Sequence, residues 1–147
     1  MRLKNFLRRT PKVFKISYQQ LRDNDFITAM QKLSNCSFKD MKVSYNIMRM
    51  GKTLQTKLQE SQEEWVKLAD PLIEKENGRY KITPAGTVWK AGVDAAEAEK
   101  KLDDFMNKEI IVDRHKIKLE DLEEAKLTPA QLGAIEPFLA EAAQAAH

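Results

Sequence analysis

The chain contains 147 residues, of which 42% are hydrophobic and 32% are charged, with five Gly and five Pro. A chain of this length is typical of a single domain. The composition is that of a helical globular protein, which excludes a disordered or fibrous chain. No stretch approaches the roughly 20 consecutive apolar residues that a membrane-spanning helix needs, so we expect no membrane insertion. One Cys and two His are too few for a zinc site, and the single Cys36 favours a reducing cytoplasm.

The net charge of +3 conceals a strong asymmetry between the two parts of the chain. Residues 1–57 contain 13 Lys/Arg and 3 Asp/Glu, a balance of +10, whereas residues 58–147 contain 12 and 19, a balance of −7. Such asymmetry indicates either a basic surface for a polyanion or head-to-tail packing of complementary faces. Two solvated helix faces are the simpler interpretation.

The first 18 residues are predicted to form a basic N-terminal arm, followed by a single helical domain over residues 19–147. Within the arm, Lys12–Tyr18 alternates loosely and predicts a short strand or extended segment. Basic and aromatic residues together suit phosphate neutralisation and base stacking, or docking on an acidic protein face. The candidate contact residues are Arg2, Lys4, Arg8, Arg9, Lys12 and Lys15.

Two helices are expected next. Apolar spacing over Tyr18–Leu33 predicts a helix with a break near Asp23–Asp25, and Ser37 with Asp40 resembles the capping signal of a longer helix from about Phe38 to the Asp70-Pro71 step. Apolar and small residues at intervals of four and three form one stripe on this helix. The candidate helix-packing positions on the stripe are Ile47, Leu54, Leu58, Trp65 and Leu68, with Gly51, Ser61 and Leu72 completing the pattern.

The second half of the chain predicts alternating short strands and helices. Asn77-Gly78 indicates a turn before a strand at 79–82, and Thr83-Pro84 resembles a helix start, with the helix ending near Asn107. A small hairpin is expected within Glu109–Lys118, a helical turn or two over Leu119–Lys126, and a last helix that begins at the Thr128–Gln131 capping box and includes Leu139 and Ala142. The predicted fold class is mainly α, with an antiparallel pair of long helices, shorter helices and a small β hairpin.

No catalytic, cofactor-binding or metal-binding residues are expected. His115 lies between Arg114 and Lys116, as in a surface turn, and Cys36 is predicted to be a buried or inert thiol at a helix N-terminus. Glu60-x-x-Glu63 matches half of a paired-acid magnesium motif, but no second half follows. Gly51-Lys52-Thr53 lacks the earlier glycine of a phosphate-binding loop.

From about Leu21 to Glu141 the order of segments resembles small accessory proteins of tailed bacteriophages. The resemblance lies in SYNIMRMGKTLQTKLQESQEEWVKLADPLIEKENG and in EIIVDRHKIKLEDLEEAKLTPAQLGAIEPFLAE. It implies a role in virion structure, assembly or host interaction, in the host cytoplasm or the virion, and it transfers no site residues.

Two hypotheses about function follow. The leading one is a non-enzymatic interaction protein, a structural or assembly component that self-associates or docks on a larger protein assembly. The alternative is a nucleic-acid-binding accessory protein that uses the arm. In that case the further contacts would be Arg22, Lys32, Lys39, Lys42 and Arg49.

Overall fold

The structure is a computed structural model that describes residues 13–140, and about 59% of it is helical. The α-helices are α1 (Tyr18–Arg22), α2 (Asn24–Asn35), α3 (Met41–Ala69), α4 (Ala95–Asn107) and α5 (Pro129–Ala134). Two 3-10 helices span Leu119–Ala125 and Glu136–Phe138. The prediction of a mainly α protein is therefore confirmed.

The strands are short and form two-stranded pairs. They are β1 (Phe14–Ser17), β2 (Lys75–Glu76), β3 (Arg79–Tyr80), β4 (Ile82–Thr83), β5 (Gly86–Thr87), β6 (Glu109–Val112), β7 (Ile117–Lys118) and β8 (Leu139–Ala140). Strands β2 and β3, β4 and β5, and β1 and β6 pair in antiparallel fashion, whereas β7 and β8 are parallel.

The helix predicted over Tyr18–Leu33 is divided into α1 and α2 at Asp23, as expected. Asp23 has an extended backbone, with φ −64° and ψ 136°, and its carboxylate accepts a hydrogen bond from the Phe26 amide at 3.3 Å. The side chain thus caps the start of α2 and satisfies one of the amides that a new helix leaves without a partner.

Helix α3 contains 29 residues and is about 43 Å long. Its N-cap is Asp40, whose carboxylate accepts a hydrogen bond from the Lys42 amide at 2.8 Å, so the start predicted at Ser37 was wrong by one turn. The helix ends at Ala69, just before the predicted Asp70-Pro71 step. Its buried stripe is formed by Val43, Ile47, Met50 and Leu54.

The helix start predicted at Thr83-Pro84 was wrong, because these residues form the turn of the β4–β5 hairpin. The Thr83 hydroxyl accepts a hydrogen bond from the Ala85 amide and donates one to the Gly86 carbonyl, each at 3.2 Å. Gly86 and Gly92 have φ of +119° and +83°, which are incompatible with a continuous helix. Helix α4 begins only at Ala95, so one long helix is accompanied by shorter ones instead of by a long partner.

The hairpin predicted within Glu109–Lys118 was also wrong, although both of its strands exist. Strand β6 pairs with β1 near the start of the chain, and β7 pairs with β8, which follows the 3-10 helix Glu136–Phe138. Helix α5 ends at Ala134, so Leu139 lies in a strand and not on the predicted helix face. Ala142 lies outside the described residues.

A main core and a smaller cluster lie along α3. The centre of the main core is Phe138, which is fully buried and contacts the rings of Phe14 and Phe26 at centroid distances of 6.1 and 6.3 Å. Ile16 on β1 is also buried there, so the described part of the predicted arm is integral to the fold. The smaller cluster is formed by Ala69, Ile73 and Leu102 with the half-buried Trp65, Leu68, Leu72, Tyr80 and Trp89.

Candidate functional site

The predicted contact residues of the arm lie largely outside the described residues. Arg2, Lys4, Arg8, Arg9 and Lys12 fall there. Lys15 lies on β1 with an exposed side chain, and its ammonium is 3.8 Å from a Glu109 carboxylate oxygen across the β1–β6 pair.

The predicted helix-packing stripe is used within the chain itself. Ile47 and Leu54 are buried in the main core, and the half-buried Leu58 packs against it. Trp65 and Leu68 pack against the smaller cluster. The stripe therefore contributes to the chain's own packing.

An apolar groove runs between α2 and α3, beside the buried stripe. The cavity has a volume of about 680 Å³, within the range of ligand-binding pockets in proteins. Its α3 wall includes Ser44, Met48, Gly51 and Gln55, which recur at helical spacing on one face. We call this cavity the α2–α3 groove.

Large apolar side chains are open to solvent along both walls of the α2–α3 groove. Ile27 on α2 is 39% exposed and Met48 on α3 is 41% exposed. The half-buried Met30 adds a flexible thioether, a group that adapts to different partner surfaces. Lys52 is the single charged residue among the described residues that line the groove.

Gly51 leaves the α3 wall of the groove without a side chain. A Cβ atom added there would lie 3.9 Å from the Met30 Cε atom, an ordinary van der Waals distance. The position therefore faces Met30 across the groove and has room for a larger side chain.

A second cavity, which we call the basic cleft, lies on the other flank of α3. It has a volume of about 310 Å³ and lies between α3 and the segment that joins β6 to β7. It is lined by Val43, Asn46, Arg49, Met50, Arg114, His115, Lys116, Ile117, Lys118 and Asp121. Four Lys or Arg side chains thus face one carboxylate, a composition that favours anions.

Two contacts position the arginines of the basic cleft. The Arg114 Nε atom donates a hydrogen bond to the Thr53 hydroxyl at 2.8 Å, and this contact is partly buried. The Arg49 guanidinium lies over the Tyr45 ring at 5.5 Å from its centroid. Arg49 is therefore positioned on α3 itself, and Arg114 is held against α3.

A polar cluster surrounds Tyr80 near the end of α3. The Tyr80 hydroxyl donates a hydrogen bond of 2.6 Å to the Asp70 carboxylate, which also lies 2.9 Å from the Lys75 ammonium. Burial raises the pKa of Tyr80 to about 12, and the hydrogen bond to Asp70 adds to the rise. The same hydrogen bond, followed by the contact with Lys75, lowers the pKa of Asp70.

The structure also gives the positions of Cys36 and of the paired acids on α3. Cys36 caps the C-terminal end of α2, not the predicted helix N-terminus, and it packs half-buried against the main core. Glu60 and Glu63 are exposed on α3. Residues 13–140 contain no group of three or more His, Cys, Asp or Glu side chains placed to hold a metal ion.

Between Val13 and Ala140 no helix combines the length and the apolar character that crossing a membrane requires. Comparison of the chain with models of known protein families, with curated proteins and with solved structures found no match in any of the three. The candidate sites therefore rest on their own geometry.

The sequence contains residues of both cavities, but it does not show which of them lie together in the fold. The apolar spacing over Tyr18–Leu33 includes Ile27 and Met30, and the structure leaves Ile27 exposed on the wall of the groove. Arg114–Lys116 was interpreted as a surface turn, and the arrangement of β6 and β7 that places it beside Arg49 involves distant strands. From the sequence, only the run of basic residues Arg114–Lys116 could be identified.

Proposed function

We propose that this protein is an interaction protein that binds an amphipathic helix of another protein in the α2–α3 groove, and that it serves as a structural or assembly component of a larger complex. This proposal includes the role that the resemblance to phage accessory proteins implies, namely virion assembly in the host cytoplasm or the virion. The observation that carries it is the groove itself, an open apolar cavity between two helices with a single charge on its walls.

The shape of the groove supports a helical ligand. The α3 wall from Ser44 to Leu58 extends over about 21 Å, the length of about four helical turns. A helix laid against two neighbouring helices buries its apolar face in the groove between them, which is a common mode of peptide recognition. The exposed Ile27 and Met48 would then be covered by the ligand.

The charge around the groove indicates which helix would bind. Lys52 lines the groove, and residues 26–58 carry a balance of +5, although Lys42 and Arg49 lie on the opposite face of α3. An amphipathic helix with acidic flanks would complement this surface and be guided to it. The described part of the chain has no such helix to offer, because the apolar faces of α4 and α5 contribute to the chain's own packing. We therefore assign the groove to a different protein.

The test uses a fluorescent Leu/Glu amphipathic peptide of about four helical turns, with a Leu/Lys peptide for comparison. We expect fluorescence anisotropy to show tighter binding of the Leu/Glu peptide. Gly51→Phe should fill the groove and weaken binding at least about tenfold, and Met48→Glu should weaken it by repulsion, whereas Gly51→Ala is the matched control and should bind normally. Equal binding by the wild type and Gly51→Phe would exclude the groove.

Light scattering at low and high salt tests the assignment to a different protein. We expect a monomer at both salt concentrations, because α4 and α5 already pack their apolar faces within the chain and offer no helix for the groove of a second copy. A salt-resistant dimer that Gly51→Phe converts to monomer would place a second copy in the groove and contradict this assignment.

A further inference from the structure

The basic cleft combines a concentration of positive charge with positioned donor groups. Arg49, Arg114, Lys116 and Lys118 line a cavity that contains one carboxylate, from Asp121. Within residues 13–140, none of these four side chains forms an ion pair of 4 Å or less. Four like charges beside a single carboxylate repel one another, and a bound anion relieves this repulsion.

The geometry of Arg114 suits a phosphate in particular. Its Nε atom donates a hydrogen bond to the Thr53 hydroxyl, which restrains the guanidinium beside α3 and does not use its terminal N–H donors. A planar group restrained in this way presents its terminal N–H donors to two oxygens of a phosphate at once, which a lysine ammonium cannot do. Arg114 is therefore placed to bind phosphate through both donors.

The face of α3 that forms the cleft extends the positive charge along the helix. Lys42, Asn46, Arg49 and Thr53 follow one another at intervals of four, three and four, which places them on one face. This face lies about 160° around α3 from the Ser44, Met48, Gly51 and Gln55 wall of the α2–α3 groove. The two cavities are thus separate, and ligands could occupy both.

An exposed aromatic ring lies at the edge of the cleft. Tyr45 is 53% exposed, and the Arg49 guanidinium lies over its ring. An aromatic ring beside cationic groups is the combination on which single-stranded nucleic acids stack their bases, while the bases of a duplex already stack on one another.

We propose that the basic cleft binds the phosphodiester backbone of a single-stranded nucleic acid, with Tyr45 as the stacking surface for an adjacent base. The proposal does not depend on the α2–α3 groove, so Gly51→Phe should leave it unaffected. It shares Lys42 and Arg49 with the alternative based on the N-terminal arm, but it does not need the arm, because its other contacts lie on the segment between β6 and β7.

The experiment measures anisotropy of a labelled single-stranded oligodeoxynucleotide titrated with the full chain at several salt concentrations. Lys116→Gln/Lys118→Gln removes two charges without breaking a described hydrogen bond or ion pair, and we expect about tenfold weaker binding. The slope of log Kobs against log salt should become less negative by about 1.4, since each neutralised phosphate of a single strand contributes about 0.7. Lys100→Gln/Lys101→Gln on α4 is the matched control and should change neither quantity.

Two further variants assign the roles within the cleft. Arg114→Lys keeps the charge but loses the paired donors, and we expect several-fold weaker binding with a nearly unchanged salt slope. Tyr45→Ala should weaken binding of the single strand more than that of a duplex, because only the single strand loses a stacking surface as well as the contact that positions Arg49.

Five results would overturn the proposal, four with the variants and ligands of the cleft and one with a variant of the N-terminal arm. The first four are absence of binding at low salt, equal weakening by the control pair, tighter binding of a duplex than of the single strand, and equally tight binding of polyglutamate, which would indicate an acidic protein ligand. Loss of binding in Arg8→Gln/Arg9→Gln alone, with Lys116→Gln/Lys118→Gln unaffected, would also overturn it by placing the contact on the N-terminal arm.

Discussion

At Gly51 the absence of one side chain affects both the stability of α3 and the depth of the groove. Glycine within a helix costs stability because the unfolded chain has more conformational freedom to lose. A Cβ atom at this position would have an ordinary contact of 3.9 Å with Met30. We expect Gly51→Ala to increase the free energy of unfolding by about 0.5–1 kcal/mol, measured by urea denaturation. A decrease would show that the added methyl group crowds Met30.

The Tyr80 cluster makes stability depend on pH at both extremes. The pKa of Tyr80 rises from 10.0 to about 12, so its contribution is complete below pH 10 and is lost as the pH rises through about 12. The pKa of Asp70 is lowered from 3.8, so its contribution is complete above that value and is lost as the pH falls through the lowered pKa.

Replacing Tyr80 by Phe tests the alkaline part of this dependence. In the wild type, absorbance at 295 nm should show a tyrosine that ionises near pH 12. We expect Tyr80→Phe to remove this step and to raise the pKa of Asp70 towards its ordinary value, because the carboxylate loses its hydrogen-bond donor. An unchanged alkaline titration in the variant would contradict the assignment.

At the scale of single elements, the capping box at the start of α5 also joins α5 to α2. The Gln131 side-chain oxygen accepts hydrogen bonds from the Thr128 amide at 2.9 Å and from the Lys32 ammonium at 3.1 Å. The Thr128 hydroxyl in return accepts one from the Gln131 amide. One side chain therefore caps a helix and bridges to another.

This double role predicts an order of destabilisation. Thr128→Ala removes one cap and should lower the free energy of unfolding by about 1 kcal/mol. Gln131→Ala leaves both the Thr128 amide and Lys32 without their acceptor, and we expect a loss of about 1–3 kcal/mol. Urea denaturation of the two variants, with the exposed Glu136→Ala on the neighbouring 3-10 helix as a control, would test the order.

Elements with a strong local signal could be predicted from the sequence. The break at Asp23, the long α3 and the Thr128–Gln131 capping box each depend on residues a few positions apart. Thr83-Pro84 was ambiguous because Thr followed by Pro suits both a helix start and a tight turn, and Gly86 decides for the turn. Strands β6 and β7 were expected, but their partners could not be derived because pairing over a long stretch of chain has no local signature.

At the scale of the whole molecule, the main core and the smaller cluster differ in size. The main core gathers buried residues from β1, α1, α2, α3, β6 and the last described segments, whereas the smaller cluster has three buried residues. The smaller cluster lies around the C-terminal end of α3, with the β2–β5 hairpins and α4 against it. Less buried apolar surface gives that part of the molecule less local stability.

Native-state hydrogen exchange should separate these two regions. We expect amides of α4 and of the hairpins to exchange at a lower opening free energy than those of α2 and of the Val43–Leu54 part of α3. Exchange of both regions at one common free energy would show that the molecule opens as a single cooperative unit.

The candidate sites were less predictable than the fold. The stripe on α3, with Gly51 in it, was predicted, but the role of Gly51 and of the neighbouring Met48 in the groove follows only once α2 is known to lie beside them. The basic cleft needs Arg114 to approach Thr53, and this contact joins positions 61 residues apart. Helical periodicity predicts which face of a helix is buried, but it does not predict which elements pack against the adjoining faces.

The contact between Phe14 and Phe138 has a consequence for synthesis of the protein. These rings lie near opposite ends of the described chain and meet in the main core, so this core cannot be completed until residue 138 has left the ribosome. Helices α2 and α3 form through local contacts and can arise earlier. Their apolar faces therefore stay uncovered throughout translation of the remaining residues, at about 5–20 residues per second. A nascent chain with such faces would be a natural client for chaperones until the C-terminal segment arrives.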